Sequence, residues 1–170
     1  MQNIILGFLV CMASVLAVEV GQMPPSVTLS GKNGGKVDGT PWHSKMLHGK
    51  VYIFFYVDPD KKDLNNAIAN ALQAKNFDPK KVASVAVINL KATWMPNMLI
   101  ASKLKEKQKQ YPNTLYVKDK RKILVKKWQL ADDNSDVLIF DKSGTLRYKK
   151  FGKLSQSEIQ KVIRLIEKNL

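Results

Sequence analysis

The sequence predicts an α/β domain in which helices cover both faces of a central mixed β-sheet. Three observations carry this. Val51–Val57 is a continuous apolar run and residues 82–90, broken only by Ser84 and Asn89, are a second, the pattern of strands buried from both sides. Apolar residues at helical spacing follow each run. Residues 137–140 and 145–149 flank Asp141-Lys142-Ser143-Gly144, which reads as a hairpin turn. With 170 residues and 45% hydrophobic content, the chain suits one compact domain and excludes wholesale disorder.

In chain order, Pro24-Pro25 followed by Val27-Thr28-Leu29 reads as an extended leading strand, and residues 31–36 as a glycine-rich turn after which Val37 resumes. Gly49-Lys50 launches the first central strand, and Asp58-Pro59-Asp60 stops it. Asp60 is the expected N-cap of a helix carrying Leu64, Ile68, Ala71 and Leu72, which Phe77-Asp78-Pro79 ends. A second helix spans 96–110 with Pro96 in its first turn, and 114–117 is a short strand. The basic stretch 119–129 reads as a short helix or a loop. In the last helix, Ser155 and Glu158 are spaced as a capping box and Leu154 and Ile159 as a hydrophobic staple. Its apolar face is Ile159, Val162, Ile163, Ile166 and Leu170. The predicted order is β-β-α-β-α-β-β-α.

Residues 4–18 are almost wholly apolar. They are short for a bilayer span, which needs about 20 residues, and match the core of a secretory signal. Val15-Leu16-Ala17 supplies small residues for cleavage after Ala17, leaving 18–170 as the exported domain with no transmembrane span. A buried N-terminal helix or strand is the alternative. Cys11 is the only cysteine, and cleavage removes it. Disulfide exchange, peroxide reduction and thiolate metal binding all need a sulfur, so the exported chain is expected to perform none of them unaided.

Gly21-Gln22 and Pro24-Pro25, then Gly49-Lys50-Val51, Tyr111-Pro112, Trp128-Gln129-Leu130 and Asp141-Lys142-Ser143-Gly144 stand before a serine-capped final helix. In order and spacing they resemble the YtfJ-like family, small exported bacterial proteins of thioredoxin fold. The resemblance implies a thioredoxin-like sheet and a periplasmic location. Active thioredoxin relatives carry Cys-x-x-Cys after the first central strand, where a helix N-terminus stabilises a thiolate. Counting from Gly49 puts Lys61 and Leu64 on those positions, so the resemblance implies a dismantled redox site. The cis-proline that faces the redox pair in such relatives falls at Ser135, where a trans bond is expected.

Asp58, Lys61, Trp94, Met95 and Ser135 are expected to line a shared groove, because ligands in open α/β sheets favour the carboxyl ends of the strands. The alternative for Trp94 is that it covers the core. The net charge of +14 comes largely from lysines, among them Lys103, Lys107, Lys118, Arg121, Lys126 and Lys127. They read as a solvated face or, if adjoining, as a surface for anionic lipid, phosphate or acidic protein. Nucleic acid is not expected, since lysine dominates over the better phosphate fork, arginine, and no helix-turn-helix pattern is evident. His43 and His48, even with Asp58, Asp60 and Asp63, match no metal template, and residues 31–36 lack phosphate-loop spacing. No cofactor is expected. The sequence thus predicts a redox-inactive periplasmic binding or accessory module whose partner is an envelope protein or an anionic surface. The alternatives are a noncatalytic partner of an envelope thiol-redox or peroxide-response system, and a basic protein on anionic lipid.

Overall fold

A computed structural model describes residues 17–170. The expected signal segment, Cys11 included, lies outside the described residues except for Ala17. At the sheet centre, β4 (Val51–Val57) pairs in parallel with β5 (Val82–Asn89), and β6 (Thr114–Asp119) continues in parallel beyond β5. On the other side of β4 lie β7 (Ser135–Phe140) and β8 (Leu146–Phe151), both in antiparallel pairing. β2 (Gly34–Lys36) runs antiparallel along β6, giving the order β2-β6-β5-β4-β7-β8. β1 (Thr28–Leu29) and β3 (Trp42–His43) form a separate two-stranded ribbon.

Crossover handedness sets the layers. α1 (Asn66–Lys75) and α2 (Asn97–Gln110) join strands that step in one direction, and both pack on one face. α3 (Ile123–Trp128) carries the chain back across the sheet and packs on the other face, while α4 (Gln156–Lys168) joins α1. Under α3, Trp42, Phe54, Trp128 and Phe140 stack with centroids 5.5 to 6.4 Å apart. This is the expected mixed sheet with helices on both faces.

Several local expectations change. Asp60 does not cap a helix: Asp58 Oδ1 accepts from the Asp60 N–H (2.8 Å) to close a 3-10 turn over Pro59–Lys61, and α1 starts only at Asn66. Pro96 precedes α2 as its N-cap instead of lying in its first turn. The glycine-rich turn contains a strand, in which Gly34 lies against β6 and Gly35 against the Thr40 carbonyl more closely than a side chain allows. A Cβ on Gly34 would stand 1.8 Å from the Lys118 carbonyl oxygen. The basic stretch does hold a helix, six residues long, which buries Leu124 and Trp128 one turn apart. Asp119 anchors its start, accepting from the Ile123 N–H and the Leu124 N–H (both 2.9 Å). The final helix forms with its reciprocal capping box, and Leu154 and Ile159 are buried in one cluster. Leu170 stands outside that apolar face, exposed.

Candidate functional site

The carboxyl ends of β4 and β5 meet the start of β7, where the crossovers change direction and open α/β sheets place ligands. Asp58, the first residue beyond β4, is buried. Its backbone N–H donates to the Asn134 carbonyl (2.8 Å), and its Oδ2 has no partner among the described residues. Burial pushes its carboxyl up to about 6, and Asp133 and Asp60 add to the rise while the Asp60 N–H opposes it. Lys61 is exposed in the 3-10 turn, and Leu64 is half-buried. Both precede α1, so neither sits on the free N–H groups of its first turn.

Ser135 is buried as the first residue of β7, paired with Val57, and no cis peptide bond occurs among the described residues. Facing it is Asn65, a residue the sequence pattern did not single out. Its Nδ2 donates to the Ser135 carbonyl (2.9 Å), to Ser135 Oγ (3.2 Å) and to the Gly152 carbonyl (3.2 Å). Its Oδ1 accepts from the Leu154 N–H (3.1 Å). One buried carboxamide therefore ties the entrance of α1 to β7 and to the loop before α4.

Asp58 and Ser135 lie in the interior, so the five expected groove residues do not line one open groove. Trp94 is 90% exposed, with Met98 at 83% and Leu99 at 55% beside it in sequence. It does not cover the core; Met95, half-buried, packs on the cluster of Ile88 and Ile100 in its place. Thr93 Oγ1 donates to Asp60 Oδ1 (3.1 Å), binding the Trp94 loop to the loop that follows β4. The loop before α2 and the first turn of that helix thus present an exposed apolar knob beside the loop that follows β4, the surface character that marks interaction sites.

The basic residues divide between the two faces. Lys103 and Lys107 are exposed on α2, and Lys126 and Lys127 are exposed on α3 across the sheet. Lys118 is half-buried on β6, its ammonium pKa lowered by burial and by neighbouring Lys120 and Lys105. Arg121 is exposed just beyond β6. His43 Nδ1 lies 2.9 Å from Thr28 Oγ1, and no metal-holding group of His, Cys, Asp or Glu occurs among the described residues. None of their helices is long and apolar enough to cross a membrane.

A second polar group sits beneath α3. The Tyr56 hydroxyl donates to Asp119 Oδ2 (3.2 Å), and Asp136 Oδ2 accepts from the Ala131 N–H (2.8 Å). Burial pushes Asp136 up to about 7 and leaves its Oδ1 without a partner among the described residues. The sign in the sequence is a carboxylate at a strand boundary, Asp119 closing β6 and Asp136 beside the start of β7.

A family model described as a bacterial protein of unknown function, YtfJ_HI0045, matches residues 15–169. An uncharacterized protein of Haemophilus influenzae is 30% identical over 156 residues, covering 90% of this chain and 81% of the relative. YtfJ of Escherichia coli, also uncharacterized, is 26% identical over 167 residues, covering 94% and 91%. Among solved structures, a thiol-disulfide isomerase from Corynebacterium glutamicum superposes with a TM-score of 0.56 at 14% identity, over 90% of this chain and 96% of that one. The scaffold is a thioredoxin-like fold.

Proposed function

The chain belongs to the YtfJ_HI0045 family, and on that footing we propose a periplasmic thioredoxin-fold module that binds a partner protein and performs no redox chemistry. The observation that carries the reading is the exposed knob of Trp94, Met98 and Leu99 at the carboxyl edge of the sheet, where open α/β folds place ligands. The whole chain contains one cysteine, so it has no Cys pair. Asn65 and Ser135 close the interior behind that edge with hydrogen bonds, which leaves the exposed knob as the feature available to a partner. The apolar segment 4–18 with small residues before Val18 supports export.

Retention of envelope proteins on immobilised wild-type protein and on Trp94→Ala tests it. The expected result is a discrete partner whose retention falls about 30-fold or more in the variant, as for an aromatic anchor worth about 2 kcal/mol. Retention no greater than on a charge-matched control overturns the docking role. Reduction of insulin or consumption of hydroperoxide by the purified protein overturns the absence of redox chemistry. N-terminal sequencing of periplasmic material is expected to begin at Val18.

A further inference from the structure

The core on the face shared by α1, α2 and α4 is divided. Ile53, Val137 and Ile139 pack under α1 and α4, whereas Ala86, Ile88 and Tyr116 pack under α2. Phe55 touches both clusters yet stays half-buried, and Val57 beside it is half-buried too. Side chains on the central strands of a parallel sheet are ordinarily covered on both faces. Here α1 and α2 stand apart and leave a strip of β4 open, the floor of a cleft of about 620 Å³. That volume lies within the roughly 300–1,000 Å³ of small-molecule sites.

The walls carry charge of one sign. Leu72 and Phe77 on the α1 side and Met95 and Leu104 on the α2 side extend the apolar floor, with the amides of Asn66, Asn70 and Gln73 set among them along α1. The charged lining is Lys62, Lys103 and Lys107, with no carboxylate among the lining residues. Lys62 is held by Asp63 at 2.7 Å, and Asp63 also lies near Lys107. Lys103 and Lys107, one helical turn apart, have no ion-pair partner among the described residues. An apolar floor favours a hydrocarbon body, and two neighbouring ammonium groups at its rim favour an anion.

We infer that the cleft between α1 and α2 binds a single-chain amphiphile with an anionic head. Its alkyl chain lies along Phe55 and Val57, and its head meets Lys103 and Lys107. The floor from Ile53 to Val57 is about 13 Å long, enough for a medium-length chain. A fatty carboxylate and a monoalkyl phosphate share this chemistry. Trp94 does not line the cleft, so this site and the docking knob stand or fall separately.

Calorimetric titration of the purified protein with dodecanoate, dodecyl phosphate and dodecyl maltoside, each below its micellar concentration, tests the inference. One-to-one binding of either anion is expected, at least tenfold tighter than the maltoside, and the tighter anion identifies the head. Lys103→Gln with Lys107→Gln weakens the anions about tenfold and leaves the maltoside unchanged. Ala69→Trp, at an exposed α1 position that lines the cleft, abolishes binding while melting is unchanged. Lys126→Gln with Lys127→Gln, on the opposite face, leaves all three titrations as they are. The inference is overturned by absence of binding at millimolar ligand, by equal affinity for the maltoside, or by equal weakening from the α3 pair. A dimer in sedimentation that Ala69→Trp dissociates also overturns it, since a second copy then covers the cleft.

Discussion

Replacing Asn65 by alanine removes one carboxamide that serves three segments at once. The Leu154 N–H, buried, loses the acceptor it uses, and the Ser135 carbonyl keeps only the Gly152 N–H. Two net hydrogen bonds at about 1 kcal/mol each, with a further penalty for the stranded donor, give a destabilisation of about 3 kcal/mol. For a domain of this size that corresponds to a melting temperature lower by roughly 6–12 °C. The isosteric Asn65→Asp separates hydrogen bonding from packing. It sets a carboxylate where the Nδ2 now faces two carbonyl oxygens, so its native pKa rises above the unfolded value of about 3.9. A raised native pKa means that the stabilising proton is held fully at low pH and lost as pH climbs through that value. Urea melts at about pH 5 and about pH 8 should therefore find Asn65→Asp losing more stability at the higher pH than wild type does, while Asn65→Ala is lower than wild type by the same amount at both. An alanine variant within about 1 kcal/mol of wild type, or an aspartate variant that follows the wild-type pH profile, would refute the assignment.

Gly34→Ala is expected to detach β2 from β6, because its Cβ meets the Lys118 backbone at a distance no relaxation of a side chain can relieve; hydrogen exchange at Val37 and Lys120, whose N–H groups donate to the Tyr116 and Asn33 carbonyls, would report the loss. Asp136, raised to about 7 by burial, makes the native state hold its proton more tightly than the unfolded chain. Its contribution is complete below the ordinary carboxylate value and falls away as pH rises toward about 7, so Asp136→Asn should flatten that decline in denaturation midpoints. Ser155→Ala removes the acceptor for the Glu158 N–H and should cost about 1 kcal/mol in urea unfolding, with Ser155→Asp restoring most of it.

What was legible in the sequence was what depends on near neighbours in it. The capping box at Ser155 and Glu158 is a relation of three residues, and the staple from Leu154 to Ile159 spans five; both form. The central strands are legible because burial on both faces leaves no polar period to confuse. The missing thiol pair is legible because it is a matter of composition. Asn65 was not legible, since its partners lie 70 to 89 residues away and an isolated amide carries no period. The edge strand at Gly34-Gly35 was hidden because glycine is poor in strands, and here it is needed for close approach. Asp60 misled because an acidic residue before a helical pattern caps equally well as a neighbour does, and Asp58 takes the role for a shorter turn. Whether Trp94 faces inward or outward depends on the path of its loop, which Thr93 fixes through a contact 33 residues distant.

The outer margin of β8 has a selvage. The Gly21 N–H donates to the Leu146 carbonyl (2.7 Å), the Leu146 N–H donates to the Gln22 carbonyl (2.9 Å), and Lys149 Nζ reaches the Val18 carbonyl (2.8 Å). These few residues, together with the charges of Arg147 and Lys149, blunt a strand that would otherwise offer its backbone to any passing chain. Protease trimming past Gln22 would unpick that hem, and the protein would then be prone to stack edge to edge with its own copies.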